Sequence, residues 1–584
     1  MKKSYFELLI TFVVLMSLSF WTLIGFKFYE IISEGNVLMR FAQFFSNKYQ
    51  TVQYTKSSDK RESSVIASQD LYDVQHCKLD LSFDIPRKYI YGKMNMKGLI
   101  LSDTLSRLYI NLFDNMKVNS VKFNNENIDF KRNDNYIIVN LKRSGQKTTE
   151  FSAEINYEGA PVSKGFETFE FKSFDNEPAI YTLSEPENAP AWWPCKDIIN
   201  DKFTSEVTLT VPEQLTAVSN GLLKEVKTGS DNTKTFYFRS DYPIATYLVS
   251  IAIAKYDTWS DKYYTGDSLK EMNVDYFVYP SYLANAKNDW DSTVSMIEFF
   301  SEKVGEYPFI NERYGMAMVG WAGGAMENQT VSSMGHTTVT GDKRYESIVA
   351  HELFHQWFGD AVTPMTWKDI WLNEGFASYG EAMWAEHRDG IKGYKKTMKS
   401  MDYGYFQGRV YDPEGFILNS TVYKKGAWCL HMLRGVTGDS VFYKILRTYY
   451  EKYKYKNAST LDFQNVCEQI SGTDLKYFFD QWIFTGTGRP DYIYSWKYDD
   501  FNGEKNSGVY MVRLNLRQTQ KDRDVYKMPV QIIVKTESGE EEFTIFNESR
   551  EQLFEQPVKG KPTEVLIDND NWILKEIRME EYKN

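Results

Sequence analysis

The residues best suited to chemistry lie in one short segment near the middle of the chain. His351 and His355 stand four positions apart with Glu352 between them, and the whole chain holds only six histidines. On a helix, residues four positions apart share a face, so both imidazoles can direct a nitrogen to one metal ion. Glu352 is about one-third of a turn from His351, which suits its carboxylate to a water molecule beside the ion. This HExxH pattern predicts a zinc site with a neighbouring general base.

A third metal ligand is expected from the next helical segment, because a catalytic zinc ion usually takes three protein ligands and keeps one position open. Glu374, in the segment Trp371-Leu-Asn-Glu-Gly-Phe-Ala, follows His355 after 18 intervening residues. A helix that begins there can return alongside the first one. We therefore expect Glu374 to complete the ligand set. An ion held in this way polarises a peptide carbonyl and lowers the pKa of water to near 7, and Glu352 would accept the water's proton.

The periodicity of the rest of the chain indicates which elements position these residues. Residues 68–257 contain short alternating runs broken by Asn, Gly and Pro, which predict an antiparallel β domain. Residues 258–490 change to helical periodicity and carry the metal motif. Residues 491–584 return to strand patterns and predict a C-terminal β-sandwich. The clearest strand runs are residues 78–84, 136–141, 205–211, 509–516 and 528–535, and the clearest helical runs are 289–304, 345–359 and 372–387.

The N-terminal segment, residues 1–30, predicts a membrane anchor. From Leu8 to Phe26 the sequence runs for 19 positions without a charge, nearly enough for a helix to span the hydrocarbon core of a lipid bilayer. The lysines before this run predict a cytoplasmic N-terminus, with the catalytic residues outside the cytoplasm. Bulky residues continue to the end of the run, which favours an uncleaved signal anchor; the alternative is export and release after cleavage. Polar residues 31–67 would then form a stalk.

Composition limits the class of protein. A chain of 584 residues is long enough for two to four domains, each with its own core. The net charge of -11, without a long basic run, excludes nucleic acid as a partner. The four cysteines are far apart and form no CxxC pair, which favours buried free thiols over disulfides or a thiolate metal site. They are Cys77, Cys195, Cys429 and Cys467.

A second motif, Gly324-Ala-Met-Glu-Asn, ends 23 positions before His351. Together with the zinc motif, it resembles the gluzincin zinc aminopeptidases of the aminopeptidase N family, which also contains leukotriene epoxide hydrolase. The resemblance covers nearly everything after the expected stalk. It implies that Glu327 binds the free α-amino group of a peptide and that the strand holding Gly324 and Ala325 pairs with the substrate backbone. A carboxylate beside the metal pairs well with an ammonium group.

Two further positions resemble functional residues of that family. Tyr423 corresponds to a tyrosine whose phenol donates to the tetrahedral oxyanion, with a core tyrosine as the alternative. Glu185 corresponds to a second amine-binding residue supplied by the first β domain, with Glu187 or a purely structural loop as the alternatives. Three polar residues are expected to support the site through hydrogen bonds: Asn328, Asn373 and Asp360.

The resemblance implies a multidomain α+β protein: an N-terminal membrane helix, a β-sandwich or saddle domain, a thermolysin-like catalytic domain and a C-terminal β-sandwich. It implies hydrolysis of the N-terminal bond of peptides with free N-termini, with one Zn²⁺ per chain. Two alternatives stay open: an epoxide hydrolase on the same zinc site, and a catalytically silent cell-surface binding protein. The sequence has no room after the sandwich for the long helical domain of larger family members, so we expect a more open cleft. The expectation that larger family members form oligomers through that domain is not extended to this chain.

Overall fold

The computed structural model of the protein describes residues 63–133, 135–141, 146–267, 269–503 and 508–582. The expected anchor, Leu8–Phe26, and most of the expected stalk lie outside these residues. Within the described part of the chain, no helix is both long enough and apolar enough to cross a membrane.

The described chain begins with a short helix, α1 (Ser63–Gln69), and continues as strands because apolar and polar side chains alternate along it. Between Phe203 and Pro212, for example, Val207, Leu209 and Val211 are buried while the intervening residues are half exposed. The strands are β1 (Tyr72–Asp84), β2 (Tyr89–Ile100), β3 (Arg107–Asn111), β4 (Met116–Phe123), β5 (Glu126–Asn127), β6 (Phe130–Asn133), β7 (Tyr136–Asn140), β8 (Glu150–Gly159), β9 (Phe169–Phe174), β10 (Glu177–Thr182), β11 (Phe203–Pro212), β12 (Thr216–Ser219), β13 (Leu222–Thr228), β14 (Thr233–Ile244) and β15 (Ile251–Ala254).

These strands form three sheets. The largest has the order β13-β14-β11-β1-β2-β8-β4-β5, with β1 parallel to β11 and antiparallel to β2. The second has the order β12-β15-β10-β9, and the third β3-β7-β6. Their buried faces share one hydrophobic core. The loop after β10 and the turn between β12 and β13 both reach the site described below.

The central part combines a mixed sheet, β16-β17-β18-β20-β19, with helices. Its strands are β16 (Asp257–Tyr264), β17 (Glu271–Val278), β18 (Arg313–Val319), β19 (Ala325–Met326), β20 (Ser332–Gly335), β21 (Val362–Pro364) and β22 (Lys456–Ala458). Its helices are α2 (Leu283–Asp289), α3 (Thr293–Val304), α4 (Glu346–His355), α5 (Trp371–Ser400), α6 (Gly426–Thr437), α7 (Asp439–Tyr453), α8 (Thr460–Ser471) and α9 (Lys476–Phe479). Short 3₁₀ turns lie at Ala189–Ala191, Thr246–Leu248, Pro280–Tyr282, His336–Thr338, Trp367–Asp369 and Phe501–Gly503, and π turns at Thr421–Lys425 and Asp480–Phe484.

The C-terminal strands form two sheets that continue the core of the central part. The strands are β23 (Asp491–Asp500), β24 (Val509–Gln518), β25 (Met528–Thr536), β26 (Gly539–Asn547), β27 (Glu551–Lys559), β28 (Pro562–Ile567) and β29 (Glu576–Met579). One sheet has the order β27-β24-β23-β29 and the other β26-β25-β28. Leu514 and Leu516 from one sheet and Val530 and Ile532 from the other are fully or almost fully buried in this core.

The connection between β28 and β29 docks on α6. The Trp572 ring stacks on His431 with centroids 4.9 Å apart and covers Gly435, where a Cβ atom would lie 2.9 Å from the indole. His431 Nε2 donates to the carbonyl of Asn571 at 2.9 Å, and Nδ1 accepts from the Tyr394 hydroxyl at 2.6 Å. Gly435 and His431 thus form the surface of α6 on which Trp572 packs, and we call these two residues the tryptophan seat.

The multidomain α+β class predicted from the sequence is confirmed, with a β-rich N-terminal part and a helical central part. All four cysteines are buried free thiols. The run 289–304, predicted as one helix, is broken because Asp289 ends α2 and accepts three backbone N–H groups from residues 340, 341 and 343.

Candidate metal centre

Helix α4 carries the two histidines of the HExxH motif on one face. The His351 and His355 rings lie edge to face with centroids 4.7 Å apart, and both side chains are largely buried. Their Nε2 atoms point to the same place, since each lies 3.4 Å from Oε2 of Glu374 on the neighbouring helix α5. The spacing argument for three convergent ligands therefore matches the placement of these side chains.

The three side chains fit a zinc ion. Ligand atoms about 2.0–2.1 Å from a tetrahedral zinc ion lie roughly 3.3–3.4 Å from one another, which is the separation between each histidine nitrogen and the carboxylate oxygen. Oε2 of Glu374 is buried and, within the described part of the chain, receives no hydrogen bond, as expected of an atom that binds a cation. Burial alone would raise the pKa of Glu374, but the two imidazoles outweigh it and lower this pKa to about 2.

The second nitrogen of each histidine is also engaged. His351 Nδ1 donates to Oε1 of Glu381 at 3.0 Å, and His355 Nδ1 donates to Oδ1 of Asn373 at 2.7 Å. In each ring this arrangement leaves Nε2 free to bind metal. Lys424 donates to the same oxygen of Glu381 at 3.1 Å.

Glu381 is not among the residues predicted from the sequence, although a signal for it exists. Glu381 follows Glu374 by seven positions, so two turns along α5 it projects from the same face. Nothing in the sequence marks the Lys424 contact, which depends on how α5 meets the segment before α6.

Glu352 lies beside the histidines on α4 but outside the triad. Its side chain is buried, and burial raises its pKa to about 8 although His351 and His355 act in the opposite direction. A carboxyl oxygen of Glu352, one of Glu327 and a nitrogen of His355 all lie within 4.8 Å of one another. The predicted base and the predicted amine-binding residue are thus brought to the same edge of the metal centre.

Glu327 is placed by strand β19 at the end of the Gly-Ala-Met-Glu-Asn motif. Gly324 adopts φ +73°, which favours glycine, and Ala325–Met326 then pairs with β20. Glu327 is buried, and two amides hold it. Gln356 Nε2 donates to its backbone carbonyl at 3.0 Å, and Asn373 Nδ2 donates to its Oε1 at 3.0 Å.

The loop after Glu327 is fastened from two sides. Gln356 Oε1 accepts from the backbone N–H of Thr330 at 2.8 Å. From the N-terminal part, Asn220 Nδ2 donates to the carbonyl of Gln329 at 2.7 Å, and the N–H of Gly221 donates to the Thr330 hydroxyl at 2.8 Å. We call Asn220 and Gly221 the docking turn. Asn220, Gln329 and Thr330 are all buried at this contact.

Among the described residues, the side chains of Asn328 and Asp360 make no hydrogen bond to a metal ligand. Asn328 turns away and donates to the Ser333 hydroxyl at 2.9 Å. Asp360 is buried, both of its carboxyl oxygens have no hydrogen-bond partner in the described chain, and burial and the charge of Glu327 raise its pKa well above the usual value. Of the three predicted supporting residues, Asn373 makes the side-chain contact to a ligand.

The first β part contributes Glu185 from the loop after β10. Its side chain is buried and Oε1 has no hydrogen-bond partner, whereas Glu187 is exposed. Burial and the neighbouring charge of Glu327 raise the pKa of Glu185 well above its usual value. Tyr247 from the same part was not predicted; burial and the charges of Glu327 and Asp360 raise the pKa of its phenol, and its hydroxyl is also buried without a partner.

Tyr423 lies in the π turn that precedes α6. Its hydroxyl donates to Oε1 of Glu374 at 2.8 Å, and its ring stacks on His351 with an interplanar angle of 13°. Two glycines make this approach possible, because a Cβ atom on Gly426 would lie 2.9 Å from the Cα of Gly375. Burial and the charge of Glu374 raise the pKa of Tyr423 well above its usual value, so the phenol keeps its proton.

The remaining histidines lie outside this centre. His76 pairs with Thr204, His336 with the carbonyl of Trp321, and His387 packs against Phe299. His431 belongs to the tryptophan seat.

Curated sequences that are similar to this chain include two aminopeptidases from different organisms. The chain is 28% identical over 448 residues to probable aminopeptidase 2 of Sulfurisphaera tokodaii, which covers 72% of this chain and 54% of the relative. It is 29% identical over 326 residues to human glutamyl aminopeptidase, which covers 52% of this chain and 34% of that protein. The chain therefore spans about half of one relative and a third of the other.

A solved structure shows the same fold over most of the chain. The crystal structure of Legionella pneumophila aminopeptidase A in complex with aspartic acid matches with a TM-score of 0.76 at 17% identity, covering 91% of this chain and 61% of that one. The model of the peptidase M1 N-terminal domain matches residues 69–248, and that of the peptidase family M1 domain matches residues 289–482. The latter range contains the triad, for which zinc is the cofactor. The chain belongs to peptidase family M1.

Proposed function

We propose that the protein is an aminopeptidase that hydrolyses the N-terminal bond of peptides. The observation that carries this proposal is the position of Glu327, with a carboxyl oxygen within 4.8 Å of a nitrogen of His355. In a peptide, the α-amino nitrogen lies about 2.5 Å from the carbonyl carbon of the same residue. An ammonium group paired with Glu327 therefore leaves only the first peptide bond beside the metal.

Electrostatics supports an ammonium ligand at this place. Glu327 and Glu185 are both buried, and the charge of the first raises the pKa of the second. The charge of Glu327 disfavours the charged form of Glu185, so a positive ligand beside these two side chains is favourable. The N-terminus of a peptide supplies that charge with a hydrogen-bonding geometry that carboxylates accept.

The chain's own groups can carry the proton transfers of hydrolysis. Zinc at the triad supplies Lewis acidity for the peptide carbonyl and for water. Glu352 accepts the proton of the attacking water and passes it to the leaving amine. Tyr423 remains protonated. Its hydroxyl gives up the hydrogen bond to Glu374 and donates instead to the oxyanion of the tetrahedral intermediate.

The names of the relatives support the reaction class, since both curated relatives are named as aminopeptidases. The test is product analysis on one peptide in free and N-acetylated forms. Acetylation removes the charge that the two glutamates would bind. Leaving a buried charge unpaired costs about 3–5 kcal/mol, so we expect cleavage efficiency to fall by roughly two to four powers of ten.

Sequential release of single N-terminal residues from the free peptide is the expected outcome. Comparable cleavage of both forms, or cuts at internal bonds, would overturn the aminopeptidase assignment. An epoxide substrate, assayed in parallel, separates the epoxide hydrolase alternative, and no turnover of either substrate by zinc-loaded protein would favour a silent binding protein.

We further propose, from the uncharged run 8–26 alone, that the chain is anchored in a membrane with its catalytic part outside the cytoplasm. Full-length protein should then stay with the membrane fraction after a carbonate wash and keep its N-terminus near Met1. A soluble product that begins near residue 30 would show that the run is a cleaved signal peptide.

A further inference from the structure

Asn373 links a metal ligand to the proposed amine-binding carboxylate through its own hydrogen bonds. Its Oδ1 accepts from His355 Nδ1 at 2.7 Å, and its Nδ2 donates to Glu327 Oε1 at 3.0 Å. The side chain is fully buried. His355 and Glu327 are 28 positions apart in the sequence, and this amide joins them across the site.

The chemistry of the amide permits only one orientation. His355 binds metal through Nε2, so its Nδ1 carries the proton and donates it mainly to the Asn373 oxygen at 2.7 Å, with the Phe358 carbonyl farther away at 3.3 Å. The amide oxygen must therefore face His355, and the amide N–H groups must face Glu327. A flipped amide would place an N–H against an N–H and an oxygen against a carboxylate.

Close packing fixes the position of the amide as well. Gly359 adopts φ +137°, and a Cβ atom there would lie 2.0 Å from Oδ1 of Asn373 and 3.1 Å from Nδ1 of His355. Gly359 thus gives the amide room to approach the histidine, and its backbone closes the space behind it. Gln356, the residue after α4, donates a hydrogen bond to the backbone carbonyl of Glu327 from a second direction.

We propose that Asn373 is a positioning residue that sets the distance between the amine-binding carboxylate of Glu327 and the metal. This proposal rests on the aminopeptidase function proposed above. Because one rigid amide joins Glu327 to His355, any shift of the ligand also shifts the amine subsite. Asn373 then determines which peptide bond, numbered from the substrate's N-terminus, lies beside the metal.

The first test separates the two hydrogen bonds of the amide, one with His355 and one with Glu327. Asn373→Asp keeps the acceptor for His355, whereas Asn373→Ala removes both hydrogen bonds. We expect the zinc affinity of Asn373→Asp, measured by competition with a chelator, to stay within about threefold of the wild type. That of Asn373→Ala should fall about 10–100-fold. Equal zinc affinity in all three proteins would show that the amide does not orient His355 and would overturn the proposal.

The second test asks whether Asn373 acts through Glu327. Binding of n-butylamine to zinc-saturated protein is measured by calorimetry for the wild type, Asn373→Ala, Glu327→Ala and the double variant. Asn373→Ala should weaken binding about tenfold or more. In the Glu327→Ala background the same change should have almost no further effect, because the carboxylate that it positions is gone.

Ser378→Ala is the matched control, since Ser378 is a buried polar residue on the same helix whose hydroxyl has no hydrogen-bond partner among the residues that the structure describes. It should change neither zinc nor amine affinity. Additive effects in the cycle, or unchanged amine affinity in Asn373→Ala, overturn the inference while leaving the aminopeptidase function intact. If wild-type protein neither binds the amine nor cleaves free-amine peptides, the proposed function fails and this inference fails with it.

Discussion

His351 and Glu352 are neighbours in the sequence, but they serve different parts of the metal centre. His351 directs Nε2 to the position shared with Glu374, whereas Glu352 projects to the edge that it shares with Glu327. We therefore expect Glu352→Gln to keep its zinc and lose turnover by a factor of about 10² to 10⁴, the usual contribution of a positioned base. His351→Ala should lose zinc affinity itself.

Zinc content by elemental analysis and kcat on an amino-acid anilide check this pair. The two variants should differ in their metal content although both lose activity. A Glu352→Gln protein with bound zinc and a near-normal kcat would refute the assignment of the base.

At the residue scale, the sequence predicts groups that belong to fixed motifs. His351, His355 and Glu374 follow from spacing, and Glu327 follows from the resemblance of its motif. The contacts of Asn373 do not follow, because its partner Glu327 lies 46 positions away and the bond depends on how a strand and a helix meet. The position of Tyr247 does not follow from the sequence either, because this residue comes from the N-terminal part; its buried hydroxyl has no partner in the described chain.

At the scale of elements, helices α5 and α6 meet at two glycines. Gly375 follows the ligand Glu374, and Gly426 follows the π turn that carries Tyr423; an added Cβ on either would lie 2.9 Å from the backbone of the other helix. Overpacking of such a contact costs about 1–3 kcal/mol. Gly426→Ala should therefore lower the melting temperature and move Tyr423 away from Glu374.

The expected signature of Gly426→Ala is a loss in kcat of about tenfold or more with zinc content unchanged, since the triad lies on α4 and α5. Gly266→Ala is a suitable control because an added Cβ there meets no atom within 4 Å. An unchanged kcat in Gly426→Ala would mean that the helix crossing does not position Tyr423.

The existence of most elements is predictable from periodicity, but their ends are not. The pattern 345–359 predicts a longer helix than α4, which ends at His355 because Gly359 adopts φ +137° and the chain turns into β21. The pattern 372–387 stops just short of Gly390, where non-helical φ and ψ angles kink α5 before a second helical stretch runs to Ser400. Backbone geometry at single glycines decides both ends, and alternation of apolar residues carries no information about it.

At the scale of the whole molecule, His431 connects the C-terminal sheets to α6. Burial lowers the pKa of His431 to about 4, against 6.5 for the free side chain. Because the folded pKa is the lower one, the unfolded chain binds more protons between these values. The stabilisation is complete above about pH 6.5 and is lost as the pH falls through 4.

The expected loss is about 3 kcal/mol over this window, from 2.5 pKa units at 1.36 kcal/mol each. Thermal unfolding of wild type and His431→Gln, followed at several pH values with a chelator present, isolates this contribution. The difference in stability between the two should shrink as the pH falls from 6.5 to 4. A constant difference would show that His431 does not titrate in this way.

The docking turn has a consequence for how this sequence can recombine with its relatives. Asn220 and Gly221 hold Gln329 and Thr330 from 109 positions away, and Gly221 sits where a Cβ would lie 2.2 Å from the carbonyl of Arg239. A chimera joined between β15 and β16 inherits the turn from one parent and the loop from the other. Such a hybrid can retain every metal ligand and still misplace Glu327, so turn and loop must be inherited together.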